Sequence, residues 1–176
     1  VNSISHLFGE WLVEILAGQR RGLLASSTVI MLLMMLGLRS VRVGAWSMVP
    51  NLLPIIALGG LLGLVYDQVD SDVLMVALRG LGLGVDDTVH FLMRLRIESR
   101  KHADPREAIR ATFEFAGKPI VKTTLILGLG FAPMALSGYW SLSIMGTLLP
   151  FTLVVALLAD LLLVPALVQV RAIRFS

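Results

Sequence analysis

The feature that most constrains this chain is the length of its apolar blocks. From residue 142 to residue 170 a single charged side chain, Asp160, interrupts an otherwise apolar or neutral run. A second block, "LLASSTVIMLLMMLGL", fills residues 23–38 with no charge at all. Helices buried in soluble cores are rarely this long and this greasy, whereas a bilayer core of about 30 Å takes roughly 20 helical residues to cross. Composition agrees: 15% of residues are charged, well below the roughly 25% of an ordinary soluble domain, and mean hydropathy is +0.84.

Five spans are expected, at about 22–38, 44–65, 73–95, 120–139 and 142–170. The fold class is therefore an all-α, polytopic membrane helix bundle. Before it, residues 1–21 carry Leu7, Phe8, Trp11, Leu12, Ile15 and Leu16 at helical spacing, with Glu10 and Glu14 on the other side. That pattern predicts an amphipathic helix at a membrane surface. Residues 22–176 form the expected bundle.

Charge between the spans sets orientation. Of the 15 Lys and Arg, 12 fall on one side: the Arg39/Arg42 turn, the 94–122 loop and the Arg171/Arg174 tail. Arg20 and Arg21, with Asp67, Asp70 and Asp72, fall on the other. The basic side, including the C-terminus, is expected to be cytoplasmic. No single basic face forms, so nucleic acid is not an expected partner. The sequence has no Cys, which removes disulfide and thiol chemistry. No Walker motif is present, and no cofactor or metal is expected.

Within the cytoplasmic loop, "DPREAIRATFEFAG" at 104–117 reads as a helix of its own. Asp104 is the expected N-cap, Pro105 the first helical residue, Glu107 the capping-box partner and Gly117 the terminator. Ala108, Ile109, Phe113 and Ala116 form its apolar stripe, expected to brace the third and fourth spans.

The chemistry concentrates in "LGLGVDDTVHFLMR". Asp86 lies about 14 residues into its span, roughly 20 Å from the outer end. An ionised acid at that depth is costly against lipid and must face protein or water. Burial favours the neutral acid and a nearby cation favours the anion, so a group held between the two can load and unload protons near neutral pH. His90 shares a helical face with Asp86 and Asp87. Arg79 lies two turns before Asp86, almost in line with it, and is a candidate to tune it; an ion pair between them that merely locks the helices is the alternative. Thr88 adds a hydroxyl. Gly80, Gly82 and Gly84 are expected to admit a close partner helix. Thr123, Thr124 and Asp160 are candidate partners from the later spans. A structural ion pair and Thr-to-backbone bonds are the bland alternatives for these residues.

An intramembrane aspartyl protease also places two acids in a membrane, with a P-A-L motif on a later helix. Here Val85 separates Gly84 from Asp86, and the Tyr66–Asp67 pair sits at a membrane edge. That enzyme reading is set aside, and no enzymatic activity is expected.

Taken in order, "GLGVDDTVHFLMRLRIESR", "DPREAIRATFEFAGKPIVKTTLILGLGFAPMAL" and "ALLADLLLVPALV" resemble the C-terminal membrane half of an RND-superfamily transporter. The likeness is to the MMPL and Patched-like branch, whose membrane core is related to sterol-sensing domains. The resemblance implies that the chain holds the end of an extracytoplasmic domain (residues 1–21) and spans eight to twelve. It places Gly82 and Asp86 at the G-x-x-x-D positions, Asp87 second in the acidic pair, and Thr123 and Thr124 at the Thr/Ser positions near a proton relay. Arg79 departs from the pattern, where an apolar residue is usual, and is expected to tune Asp86. Asp160 is a secondary candidate.

The implied function is proton-driven export of hydrophobic or lipid substrates. Expected partners are membrane lipids, that substrate and the N-terminal half of the same transporter, with a homo-oligomer left open. The expected location is the bacterial inner membrane. A non-transporting lipid- or sterol-sensing module on the same scaffold is the alternative.

Overall fold

A computed structural model describes residues 2–65 and 71–170. Asp67 and Asp70 of the acidic turn and the Arg171/Arg174 tail lie outside the described residues, as do the side chains of Asp72 and of the expected 7–16 apolar stripe. The described residues are all helical or turn and form five long helices. These are α1 (Asn2–Gly37), α2 (Val41–Val65), α3 (Ser71–Lys101), α4 (Pro105–Leu136) and α5 (Trp140–Gln169). Four, namely α1, α2, α4 and α5, are long and apolar enough to cross a membrane. The fifth, α3, is 31 residues long, ample for a crossing at 1.5 Å per residue. The acids and the basic C-terminal turns dilute its apolar content. The expected count of five thus holds for helices, and four of them qualify as spans on composition.

Polarity in the bundle runs opposite to a soluble core. Leu32, Leu33, Leu36, Ile56, Leu64, Ile126, Leu129 and Leu162 are exposed, while Ser47, Asn51, Thr88, Thr124, Thr152 and Asp160 are buried. Water would penalise that much contiguous apolar surface, whereas hydrocarbon would not. Polar side chains instead turn inward, where they find one another. This is an integral membrane protein.

Two expectations about helix boundaries change. The expected surface helix over 1–21 and the first span are one uninterrupted helix, α1. Nothing in "AGQRRGLLA" stops a helix, since Gly alone costs only about 1 kcal/mol within one. Likewise Gly117 does not terminate the loop helix. It sits at φ −60°, in right-handed helical space, and α4 runs on through it.

The reason lies in a proline two residues later. A proline inside a helix clashes with the carbonyl four residues back and lacks an N–H. Before Pro119 the helix widens into a π turn over Phe113–Gly117, closed by Lys118 N–H donating to the Phe113 carbonyl. Helix α5 repeats the device, with a π turn over Ala159–Leu163 ahead of Pro165. Each widening relieves the proline without ending the helix.

The N-terminal signals of α4 are largely as expected. Asp104 caps it by accepting from Arg106 N–H at 3.1 Å, and Pro105 opens it. The Glu107 carboxylate turns outward to His102 Nδ1 at 3.4 Å, the contact the structure gives it in place of the expected capping-box bond. Ile109 and Ala116 are buried against Phe91, Leu92 and Leu95 of α3, and Ala108 is buried as well. Phe91 and Phe113 meet edge to face at 5.5 Å. The Arg94 guanidinium lies 4.2 Å from the Phe115 ring centroid. Buried Glu98 then gathers Arg94 at 2.8 Å, Lys101 at 3.1 Å and His102 at 3.6 Å. The first turns of α4 therefore clasp the basic end of α3.

Elsewhere, small residues set the helix spacing. A side chain at Gly44 would run into the backbone of Met35, which fixes α1 close to α2. One at Gly146 would strike the backbone of Met134 and Ala135, at the corner between α4 and α5. Between α1 and α2, Arg39 takes a left-handed φ of 49°. Ser40 then starts α2, its Oγ accepting from Val43 N–H at 3.3 Å.

Candidate functional site

The site forms where α3 crosses α5. Gly80 and Gly84, one turn apart, face Thr152 and Ala156, and a methyl at Gly84 would stand 3.2 Å from the Ala156 Cβ. Gly82 lies on the opposite side with open space around it. Alternate glycines in a helix point apart, so only two of the three admit the partner helix. The expectation that Gly82 shares that role is corrected.

This close approach brings Thr88 to Asp160. Thr88 Oγ1 lies 2.6 Å from Asp160 Oδ1, 2.9 Å from Asn51 Oδ1 of α2 and 3.1 Å from the Gly84 carbonyl. A hydroxyl has one hydrogen to donate, so these three acceptors compete for it. Asn51 in turn donates through Nδ2 to the Ser47 carbonyl at 3.0 Å. Asp160 is 1% exposed, and its Oδ2 has no hydrogen-bond partner. The π turn that accommodates Pro165 contains Asp160, so the proline also helps set where that carboxyl points.

One residue before Thr88, Asp87 is half-buried. Thr124 Oγ1, on α4, donates to Asp87 Oδ2 across a long 3.4 Å. Asp86 faces outward, its side chain 76% exposed, with His90 Nε2 at 3.6 Å from Oδ1. Asp86, Asp87 and His90 line one wall of a cleft of about 490 Å³. Arg94 of the same helix and Phe115, Pro119 and Thr123 of α4 line it too.

Several expected partners sit apart. Arg79 is exposed and reaches Met145 Sδ at 3.0 Å, while Asp86 has His90 Nε2 beside it at 3.6 Å. The alternative of an Arg79–Asp86 ion pair is thus not formed among the described residues, since two turns of helix exceed the reach of one guanidinium. Thr123 bonds its own helix, at 2.9 Å to the Ile120 carbonyl and 3.2 Å to that of Pro119. That is the ordinary fate of a threonine in an apolar helix. Of the threonine pair, Thr124 alone turns to an acid.

The sequence reading passed over Asn51 and Ser47. The available signal was a lone Asn between Pro50 and Pro54 in an otherwise apolar helix, which in a membrane marks an inward polar group. Among the described residues, no group of three or more His, Asp or Glu side chains is placed to hold a metal ion. The site thus sets three carboxyls at three depths: one exposed, one half-buried and bonded to a hydroxyl, and one sealed and bonded to another.

Residues 17–174 match a family model described as the MMPL family. No curated protein and no solved structure matches the chain.

Proposed function

This chain belongs to the MMPL family, a family of RND-superfamily membrane transporters, and on that premise we propose that it couples proton movement to export of a hydrophobic or lipid substrate. The proton path uses Asp86 and Asp87 at the cleft and Asp160 behind them. His90, Thr88 and Thr124 orient the acids. Arg79 and Gly82, which touch none of these groups, serve the helix rather than the relay, and Thr123 is a wall of the cleft.

The observation that carries this reading is the shortage of donors around Thr88. Three acceptors compete for one hydroxyl hydrogen, and the second oxygen of Asp160 has no partner. A proton on Asp160 supplies the missing donor; its departure leaves the node underbonded. Unsatisfied polar groups in a dry interior are expensive, so a proton arriving or leaving there alters how tightly α2, α3 and α5 are held together. That gives the bundle two arrangements for a rocking cycle to exploit.

The outward face of Asp86 supports the second half of the proposal. A carboxyl 76% exposed on a membrane helix needs water or protein beside it. We assign that cover to the N-terminal half of the transporter, with the basic end of the bundle in the cytoplasm by the positive-inside rule.

The test is efflux of a fluorescent lipid analogue by the intact transporter, with and without a protonophore. The expected result is efflux that stops when the gradient collapses and is lost in Asp87→Asn and Asp160→Asn at unchanged expression. Efflux that continues without a gradient overturns the coupling. No flux in any condition, with ligand-dependent partner binding instead, favours the sensing module.

A further inference from the structure

At the basic end of α3, Arg96 and Arg100 stand one turn apart on the face turned away from Glu98. Like charges at that spacing repel on a helix. The α1–α2 turn adds a third guanidinium, Arg39, and the three arginines line a pocket of about 310 Å³ with Met93 and Ile97. Among the described residues, no carboxylate lines it. The nearest acid along α3, Glu98, is buried and is already held by Arg94, Lys101 and His102.

The cluster is fixed in place on both sides. Arg96 Nη1 donates to the Gly37 carbonyl at 3.3 Å, which ties the end of α1 to α3. Arg39 occupies the left-handed backbone region in the turn itself, a conformation unusual for a residue with a side chain. Directly beside these cations, Leu36, Val41, Met93 and Ile97 are exposed. Cations beside an open apolar collar at the mouth of a membrane bundle match a lipid, with a charged head and an acyl chain, better than a soluble anion.

We propose that Arg39, Arg96 and Arg100 form a binding site for the phosphate head of an anionic phospholipid, whose acyl chain lies over Met93, Ile97 and Leu36. Guanidiniums suit this ligand because their planar donors match phosphate oxygens. The bound head supplies the counter-charge that the pocket lacks. It also staples the α1–α2 turn to α3 at the end of the helix that carries Asp86 and Asp87. The site depends on the membrane placement of the bundle and not on the proton relay, so either can fail alone.

The test uses the purified protein loaded with phosphatidylglycerol and phosphatidylcholine in equal amounts, with retained lipid counted by native mass spectrometry. Wild type is expected to retain phosphatidylglycerol in preference. At the surface-charge strength typical of membrane arginines, Arg100→Gln should weaken retention roughly fivefold, and Arg96→Gln with Arg100→Gln roughly thirtyfold. Arg100→Gln leaves the Arg96–Gly37 bond in place, so its loss reads binding rather than folding. A control, Lys118→Gln with Lys122→Gln on the α4 groove, should leave retention unchanged. Equal retention of the two lipids overturns the proposal, as does an equal loss in the lysine control. Displacement of the lipid by inorganic phosphate at matched concentration would show a site for soluble anions and overturns it too.

Discussion

Glu98 and Asp160 are hidden to the same degree, at 2% and 1% exposure, and the bundle treats them in opposite ways. Glu98 collects Arg94, Lys101 and His102 within 3.6 Å. Asp160 has a threonine hydroxyl on one oxygen and nothing on the other. A buried carboxylate ringed by basic side chains is held in place by them, and removing it strands those partners. A buried carboxyl among hydroxyls and amides has no such lock. Burial alone therefore does not separate the two acids; their neighbours do. Asp86 and Asp87 extend the series outward, one half-buried against Thr124 and one open beside His90.

The comparison can be broken by mutation. Glu98→Ala should have the largest effect on stability, about 3 kcal/mol, because Arg94, Lys101 and His102 lose their common partner. Thermal unfolding in detergent measures it, and a shift no larger than that of a surface variant would remove the anchor reading. Thr88→Val should cost about 2 kcal/mol by leaving Asn51 and Asp160 without their shared hydroxyl. Thr88→Ser, which keeps the hydroxyl, should recover most of it; failure to recover would point to packing rather than hydrogen bonding. Asp160→Asn should cost less, under about 1 kcal/mol, since the amide oxygen still accepts from Thr88. A cost as large as that of Glu98→Ala would make the two acids equivalent and end the contrast. Smallest is His102→Gln, at about 0.5 kcal/mol, because its pairs with Glu98 and Glu107 are partly open to solvent.

Much of this architecture was legible in the sequence because apolar block length is a bulk property. The helices at 41–65 and 140–169 follow the expected spans to within a few residues. Asp104 and Pro105 announced the start of α4 through local backbone chemistry, and its apolar stripe named the face that packs on α3. Where α4 ends was not legible: Gly117 looked like a stop, and the π turn that makes it a passage is a response to Pro119. The acids stood out as charges in an apolar run. Their ranking by depth did not, since Asp86 and Asp87 are adjacent in sequence and differ only in which way α3 is rotated. That rotation is set by Gly80 and Gly84 against Thr152 and Ala156, a contact between residues some 70 positions apart. Glu98 passed unnoticed because an acid within "RLRIESRK" resembles an ordinary solvated face.

In the mechanism proposed, acids on α3 and α5 take up and release protons inside the bundle. Infrared difference spectroscopy of the purified protein, recorded as pH is lowered, reads the carbonyl stretch of protonated carboxyl groups directly. Bands are expected in that region which exchange with deuterium and lose separate components in Asp87→Asn and Asp160→Asn. Spectra identical to wild type in both variants across the whole titration would contradict it.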